Sequence, residues 1–476
     1  MSEQHTKRRP RKRRTNNVVI AILSVIIVTA ISVCAVGAMK LIESMPKTEP
    51  SDSAAVSSVP SETEPEPEPI VKVSTATVAS TGDLLMHLPI INGAYDNSTK
   101  TYDFSRIYTY LGKYAEAADY AVANLETTLR GTEDGNKYSG YPLFNCPDEI
   151  VSATKQAGFD MLLTANNHSY DTKLKGFLRT LDVIDKEGMD RIGTMKTGEE
   201  PKYTVKDING IKIGMTCFTY ETETGKEGRK GLNGNILATE ATNLINSFSY
   251  ERLDSFYAKL KSQLDGMKEQ GAEVNIVYIH WGTEYLLTAN KQQVEIAQQL
   301  CNLGVDVIVG GHAHVVEPID LLTSENDPEH KTVCLYSMGN AVSNQRKERA
   351  QIKTGHTEDG VLFSVTFAKY SDGTVLLESA DILPTWVNMF TSKATGKLVY
   401  QIIPLDKNVA DWKSAFDLTD TSLANAQKSY ERTEKIIGSG LAKVGEYLKS
   451  HSVYPAESAV SGTDESGFSP LLAPAA

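Results

Sequence analysis

From Val71 onward the chain alternates two hydrophobic patterns. Short, nearly continuous apolar runs occur in "ATVASTGD", "ADYAVANLE", "DMLLTANNH", "IKIGMTCFTYE", "VNIVYIHWG", "DVIVGGHAH" and "TVCLYSMGN". Each is short, rich in β-branched or small residues and stopped by glycine or polar side chains, which predicts buried strands. Between several of them lie "DEIVSATKQAG", "LKGFLRTLDVIDKEG", "SFYAKLKSQLDGMKEQ" and "KQQVEIAQQLCNLG", where apolar residues recur at three and four. That spacing puts them on one helix face, so the domain is α/β. Further on, "EDGVLFSVTFAKYSDGTVLLESADILPTWV" reads as consecutive antiparallel strands joined by a hairpin at "SDGT". The predicted sheet is therefore mixed.

A different pattern precedes this domain. Val18 to Met39 form an uncharged run of 22 residues, long enough to cross a hydrocarbon core of about 30 Å at about 1.5 Å per residue. A cleavable signal is the competing reading, but its apolar region is usually about 7–15 residues and ends in a small-residue site that "CAVGAMK" matches poorly. Seven Lys/Arg against one Glu before Val18 predict a cytoplasmic N-terminus with the rest of the chain outside. Next, "PKTEPSDSAAVSSVPSETEPEPEP" is too poor in apolar residues to build a core and reads as an extended linker. The expected organisation is a cytoplasmic basic segment (1–17), a transmembrane helix (18–39), a linker (40–70), the α/β domain (71–405), a helical C-terminal extension (406–453) and a disordered tail (454–476).

Charge narrows the partners. Removing the basic segment's +6 from the whole-chain −12 leaves −18 for residues 18–476. So acidic a portion repels nucleic acid and other polyanions unless a bound cation intervenes, and no nucleic-acid partner is expected. Cys146, Cys217, Cys301 and Cys334 are scattered, two of them inside strand-like runs, which favours free buried thiols over a disulfide framework.

The chemistry lies where the apolar runs end. Asp83 and His87, Glu126, Asn167 and His168, His280 and Glu284, His312 and His314, and Asn340 all stand at or just after strand ends, and five of the chain's nine histidines are among them. A lone histidine closing an apolar run is ordinarily structural. Five at equivalent ends, with carboxylates and amides beside them, converge on one face, where open α/β sheets keep their sites. Imidazole with carboxylate and amide oxygens and no thiolate suits Mn, Fe or Zn in an open site. The set is large enough for two ions, which requires a bridging carboxylate, and Glu126 is best placed for it.

"TGDLLMH", "ANLETTL", "TANNHSYD", "IHWGTEY", "GGHAHVVEPID" and "YSMGNAVSNQ", in this order, resemble the CapA family of capsule (poly-γ-glutamate) synthesis proteins, whose domain is similar to calcineurin-like metallophosphoesterases. The resemblance runs from about Thr75 to Val342. It implies a four-layer α-β-β-α sandwich behind the transmembrane helix, with Asp83, Glu126 as the bridge, Asn167, His280, His312 and His314 as metal ligands. It further implies His168 as general acid or transition-state stabiliser and Asp171 as its orienter. Two departures stand out: His87 lies four residues after Asp83 rather than two, which puts its ligation in doubt, and Gly311 stands where a further histidine is common. His87, Asn124, Glu284 and Asn340 are expected to support ligands or touch substrate, the two asparagines mainly as loop-fixing amides. Glu284 reads equally as a helix N-cap, and Trp281 as packing or as a platform for a sugar or peptide. The Gly310–Gly311 pair matches no phosphate loop and predicts close backbone approach.

Two functions of different class follow. One is a membrane-anchored extracellular hydrolase or transferase with a di-metal site, acting on a phosphoester or a γ-glutamyl polymer. The other is an assembly or export component of a capsule machine, working beside membrane-bound synthase subunits, whose site binds capsule or cell-wall polymer without cleaving it. An extracellular metallophosphoesterase unrelated to capsule is a third reading. The residues favour the hydrolytic chemistry; the resemblance favours the capsule role.

Overall fold

The core strand shows how the sequence pattern becomes structure. Strand β1 (Lys72–Leu84) is exposed at its start and buried from Val78 to its end. Its small and branched residues serve two faces at once: Ala76 and Val78 enter one apolar cluster, and Ala79 and Leu84 enter another. A strand buried on both faces needs a nearly continuous apolar run, which is what the sequence supplies.

The structure, a computed structural model, describes residues 69–451 apart from 227 and 349–352. After β1 come β2 (Tyr120–Asn124), α1 (Glu149–Gln156), β3 (Met161–Leu163), α2 (Lys173–Glu187) and β4 (Asp190–Ile192). A second run follows with β5 (Thr204–Ile208), β6 (Ile211–Tyr220), α3 (Leu253–Glu269), β7 (Val274–His280), α4 (Lys291–Asn302) and β8 (Val307–Gly311). The chain then adds β9 (Ile319–Thr323), β10 (Lys331–Leu335), β11 (Asn340–Val342), β12 (Asp359–Tyr370), β13 (Val375–Thr391), β14 (Leu398–Pro404) and α5 (Asp420–Ser450).

These strands build two sheets, as the four-layer sandwich implied by the resemblance requires. The first has the order β14-β13-β12-β1-β2-β3-β4, with β11 alongside the end of β1. The second runs from the two-residue strand Ser247–Phe248 through β6-β7-β8-β10-β9, with β5 on β6. Each is mixed: β1 to β4 are mutually parallel and β12 to β14 antiparallel, while β6, β7, β8 and β10 are parallel and β5 and β9 antiparallel. Periodicity distinguishes strand from helix but not one sheet from another, because strand partners are chosen in three dimensions.

The layers follow from the packing. Val122, Met161 and Leu163 of the first sheet meet Met215, Ile276 and Val309 of the second in one inter-sheet core. Outside the first sheet lie α1 and α2, through Ile150, Val151, Val183 and Ile184. Outside the second lie α3 and α4, through Phe256, Leu260, Ile296 and Leu300. The result is an α-β-β-α sandwich. Helix α5, within the segment read as a C-terminal extension, buries Ile437, Leu441 and Val444 in the inter-sheet core. Burying each such side chain contributes about 1.5–3 kcal/mol. The described residues belong to one compact unit that starts at Pro69.

The span over 18–39, most of the linker and the tail lie outside the described residues. Among the described residues no helix is long and apolar enough to cross a membrane. All four described cysteines are free and buried.

Candidate metal centre

The C-terminal ends of strands from both sheets meet at one place. Asp83 in β1 stands in register with Asn124 of β2 on one side and Asn340 of β11 on the other. His280 ends β7 and is in register with Gly311, the last residue of β8. Glu126, Asn167 and His168 follow β2 and β3, and His312 and His314 follow β8. The two-fold side-chain period fixes which ends point inward, so a run that is apolar to its last residue hands its first polar group to the rim.

Asp83 and Glu126 have no exposed surface, and His280, His312 and His314 are nearly as buried. Asp83 Oδ1 accepts from Asn124 Nδ2 at 2.7 Å, and its Oδ2 lies 3.2 Å from His314 Nδ1. His280 Nε2 lies 2.9 Å from Asn167 Oδ1 and 3.3 Å from Glu126 Oε1. His314 Nε2 lies 3.9 Å from the same Glu126 oxygen. Neither Glu126 oxygen has a hydrogen-bond partner, nor has His312 Nδ1. Two sets of potential ligand atoms result, Glu126–His280–His312 and Asp83–Glu126–His314, with the atoms of each set within 4.8 Å of one another. Glu126 belongs to both.

The histidine loop is held in an unusual backbone. His312 has φ 89° and His314 φ 54°, both in the left-handed region. For a residue with a β-carbon that conformation costs about 1–3 kcal/mol and persists only where its surroundings enforce it. Asn340 is one enforcer: its Nδ2 donates to His314 O at 3.1 Å and to Thr357 O at 3.0 Å, while its Oδ1 accepts from His314 Nδ1 at 3.1 Å. Gly310 is another, since a β-carbon there would lie 1.8 Å from the Tyr336 carbonyl oxygen, so the close approach expected of the glycine pair is present.

Electrostatics leave the centre short of positive charge. Burial, followed by the neighbouring Asp83 charge, raises the Glu126 carboxyl well above its usual range. Burial pushes His280 down to about 3 and His312 well below its ordinary value, the other histidines adding to the effect. Burial is the largest single influence on Asp83 and His314 too and opposes their ionisation, but their mutual hydrogen bond, the neighbouring charges and the Asn124 and Asn340 amides together outweigh it, holding Asp83 low and His314 high. One ion pair is thus made, and a second carboxylate is left with neutral imidazoles. Orphaned buried oxygens beside neutral nitrogens form a donor set that a divalent cation satisfies, and these residues fit one.

His168 stands apart from both sets. Its Nδ1 lies 2.7 Å from Asp171 Oδ2, which also accepts from Phe144 N at 2.7 Å. The Phe144 ring meets His168 edge-on, with centroids 4.7 Å apart. His87 also belongs to neither set. Its Nδ1 lies 3.1 Å from Leu85 O and 3.2 Å from Asn344 N, its ring meets Phe144, and burial lowers it to about 4.

Asn124 bridges Asp83 and Asn166, whose Nδ2 it accepts at 3.2 Å. Glu284 is exposed, and the helix N-cap expected of it is Asn290, which forms a capping box with Gln293. Trp281 has no exposed surface and donates to Tyr336 O at 3.0 Å, so it is packing and not a platform. Sequence reasoning missed Tyr220, 4.7 Å from the His312 ring, and Asn233, on the Asp171 carboxylate. Asn233 did carry a signal, the Asn-Gly pair of a hairpin turn, but nothing that said where the turn points.

Comparison with known proteins places the chain in a family. The family described as bacterial capsule synthesis protein PGA_cap matches residues 77–345, more than half of the chain. The chain belongs to that family. The match covers every residue of the two ligand sets and both members of the His168–Asp171 pair. Among curated relatives, the PGA biosynthesis protein CapA of Bacillus subtilis is 26% identical over 71% of this chain and 81% of its own length. The capsule biosynthesis protein CapA of Bacillus anthracis is 26% identical over 65% of this chain and 66% of its own length. Among solved structures, the NAD nucleotidase of Haemophilus influenzae aligns with TM-score 0.40 at 13% identity, over 80% of this chain and 68% of that one, a likeness too low to carry an argument.

Proposed function

We propose that this family member is a membrane-anchored, outward-facing protein of capsule-polymer synthesis or export. Its polymer is of the poly-γ-glutamate type, and its centre holds two divalent ions, Mn, Fe or Zn, and acts as a hydrolase or transferase. The observation that carries the reading is Glu126, a fully buried carboxylate with both oxygens unpartnered and shared by two ligand sets. The relatives named for PGA and capsule biosynthesis support the polymer. The apolar run over residues 18–39 and the basic residues before it support the anchor and its orientation.

In this reading Asp83 and His314 hold one ion, His280, His312 and Asn167 the other, and Glu126 lies between them. When bound, such ions polarise the scissile bond and acidify a water toward neutrality. The chain's own contribution to proton transfer is His168. Asp171 occupies its Nδ1, leaving Nε2 to hold a proton for the departing group or to donate to the charge that develops.

Elemental analysis of the purified full chain should find about two transition ions, and two variants separate the roles. His312→Ala should lose metal and thermal stability together. His168→Ala should keep its metal and lose about 10²–10⁴-fold of any turnover of poly-γ-glutamate or of bis(p-nitrophenyl) phosphate. A metal-free protein whose stability ignores chelators sinks the metal centre. Polymer binding without turnover selects the non-catalytic assembly role instead. Protease added to intact protoplasts should remove the domain, and full protection would overturn the topology.

A further inference from the structure

We infer that Asn233 is a positioning residue for His168, acting through the Asp171 carboxylate. This rests on the reading of His168 as the proton donor or charge stabiliser of the metal centre. Asn233 sits at the tip of a two-residue hairpin between the short strands Gly231–Leu232 and Asn235–Ile236. Its Nδ2 lies 3.1 Å from Asp171 Oδ1 and 3.0 Å from the Pro142 carbonyl oxygen. A side-chain amide has two N–H bonds, and these two acceptors use both. The 3.2 Å approach of the same nitrogen to His168 Nδ1 is then a packing contact, because that ring nitrogen already donates to Asp171 Oδ2.

The carboxylate is therefore held at three points: by His168, by the Phe144 backbone N–H and by Asn233. Phe144 fixes one oxygen, and Asn233 supplies the hold on the other. Without it Asp171 can rotate about its terminal bond, and the imidazole that follows it loses a fixed plane. A proton donor needs that plane, since the geometry of transfer tolerates little error.

The turn itself does not demand asparagine. Asn233 (φ 46°) and Gly234 (φ 70°) both have left-handed backbones, which Gly or Asp at the first position would also adopt. Nor does the hairpin depend on this side chain for its place. Leu232 is fully buried with Tyr170, Phe177 and Leu181. Gly234 N donates to Thr222 Oγ1 at 3.1 Å, and Lys173 Nζ donates to Asn235 Oδ1. The amide is thus free of duty within the turn itself and is spent on the Asp171 carboxylate and the Pro142 carbonyl beside it.

Asn233→Gly removes the donor and keeps the turn; Asn233→Asp keeps turn and shape but faces Asp171 with a like charge. Both variants of the full chain, loaded with Mn, are assayed on bis(p-nitrophenyl) phosphate. The expected result is a kcat about 10-fold lower for Gly and lower still for Asp, with KM and metal content within about twofold of wild type. A second readout needs no turnover. In the chain loaded with diamagnetic Zn instead of Mn, the proton shared by His168 Nδ1 and Asp171 should give a downfield, slowly exchanging 1H resonance, assigned by its absence in His168→Gln and lost or exchange-broadened in both Asn233 variants. An unchanged resonance in both variants overturns the inference, whatever happens to kcat. A lost resonance in a chain whose wild type turns over nothing leaves Asn233 as the positioning residue and overturns the catalytic reading instead.

Discussion

Two pairs of buried carboxylates in this molecule are resolved in opposite ways. Glu358 and Asp359, at the start of β12, are 2% and 1% exposed; Asp83 and Glu126, at the metal centre, are not exposed at all. The first pair is matched by the chain's own cations. Arg346 lies 3.1 Å from Glu358 and Arg432 lies 2.6 Å from Asp359, with Ser429, Trp386 and the Lys347 N–H completing the hydrogen bonds. At the candidate metal centre, among the described residues, the ion pairs to Asp83 and Glu126 come from histidines alone; His314 is held charged beside Asp83, but burial strips the charge from His280 and leaves Glu126 uncompensated. Equal burial with unequal compensation separates a structural network from a donor set that fits a cation.

The largest effect should come from breaking the matched pair. Arg346→Met leaves Glu358 buried without its counter-ion and should cost about 3–5 kcal/mol in denaturant unfolding, with or without divalent metal. A loss that appeared only in metal-loaded protein would dissolve the comparison.

At the metal centre the sign should depend on what is bound. Because the folded Glu126 carboxyl lies well above its ordinary range, the stability it contributes to the metal-free chain is present below that ordinary range and is lost as pH rises. Glu126→Gln mimics the protonated form and should be more stable than wild type in chelator above neutral pH. With ions at about 100 times Kd the order should reverse, wild type gaining about 2.7 kcal/mol and the variant much less. Equal stabilisation of both proteins by Mn in thermal melts would remove Glu126 from the centre.

A fifth buried carboxylate, outside both pairs, sharpens the contrast. Glu317 has no exposed surface, its Oε2 accepts from Gln293 at 2.7 Å, and its Oε1 has no partner. Burial raises it to about 7 against that hydrogen bond. Its contribution should be complete below its unfolded value of 4.5 and fade as pH rises through about 7. Glu317→Gln should therefore flatten the loss of unfolding free energy across that window, by at most about 3 kcal/mol. An identical pH slope in variant and wild type would show that Glu317 stays charged in the fold.

Much of the site was legible because strands that are apolar on both faces leave their first polar residue at the rim. Asp83, Glu126, His280, His312 and His314 stood out for that reason, and the structure brings all five together. His87 stood at a strand end too, yet lies in neither ligand set. Trp281, read as packing with a stacking platform as the alternative, is fully buried. The spacing from Asp83 already argued against His87 as a ligand, but where the two rings go instead depends on Phe144 and Tyr336, which come from elsewhere in the chain.

The sequence by itself determined the α/β class, the extent of the main strands and helices, and the residue types offered at their ends. Those are local properties, written in apolar periodicity and in where it stops. Only the tertiary structure decided which strands go to which of the two sheets, that α5 seals the core between them, that His87 falls outside both ligand sets, and that an Asn-Gly turn reaches the His168–Asp171 pair. Those depend on contacts between residues tens to hundreds of positions apart, which packing selects and no local pattern encodes.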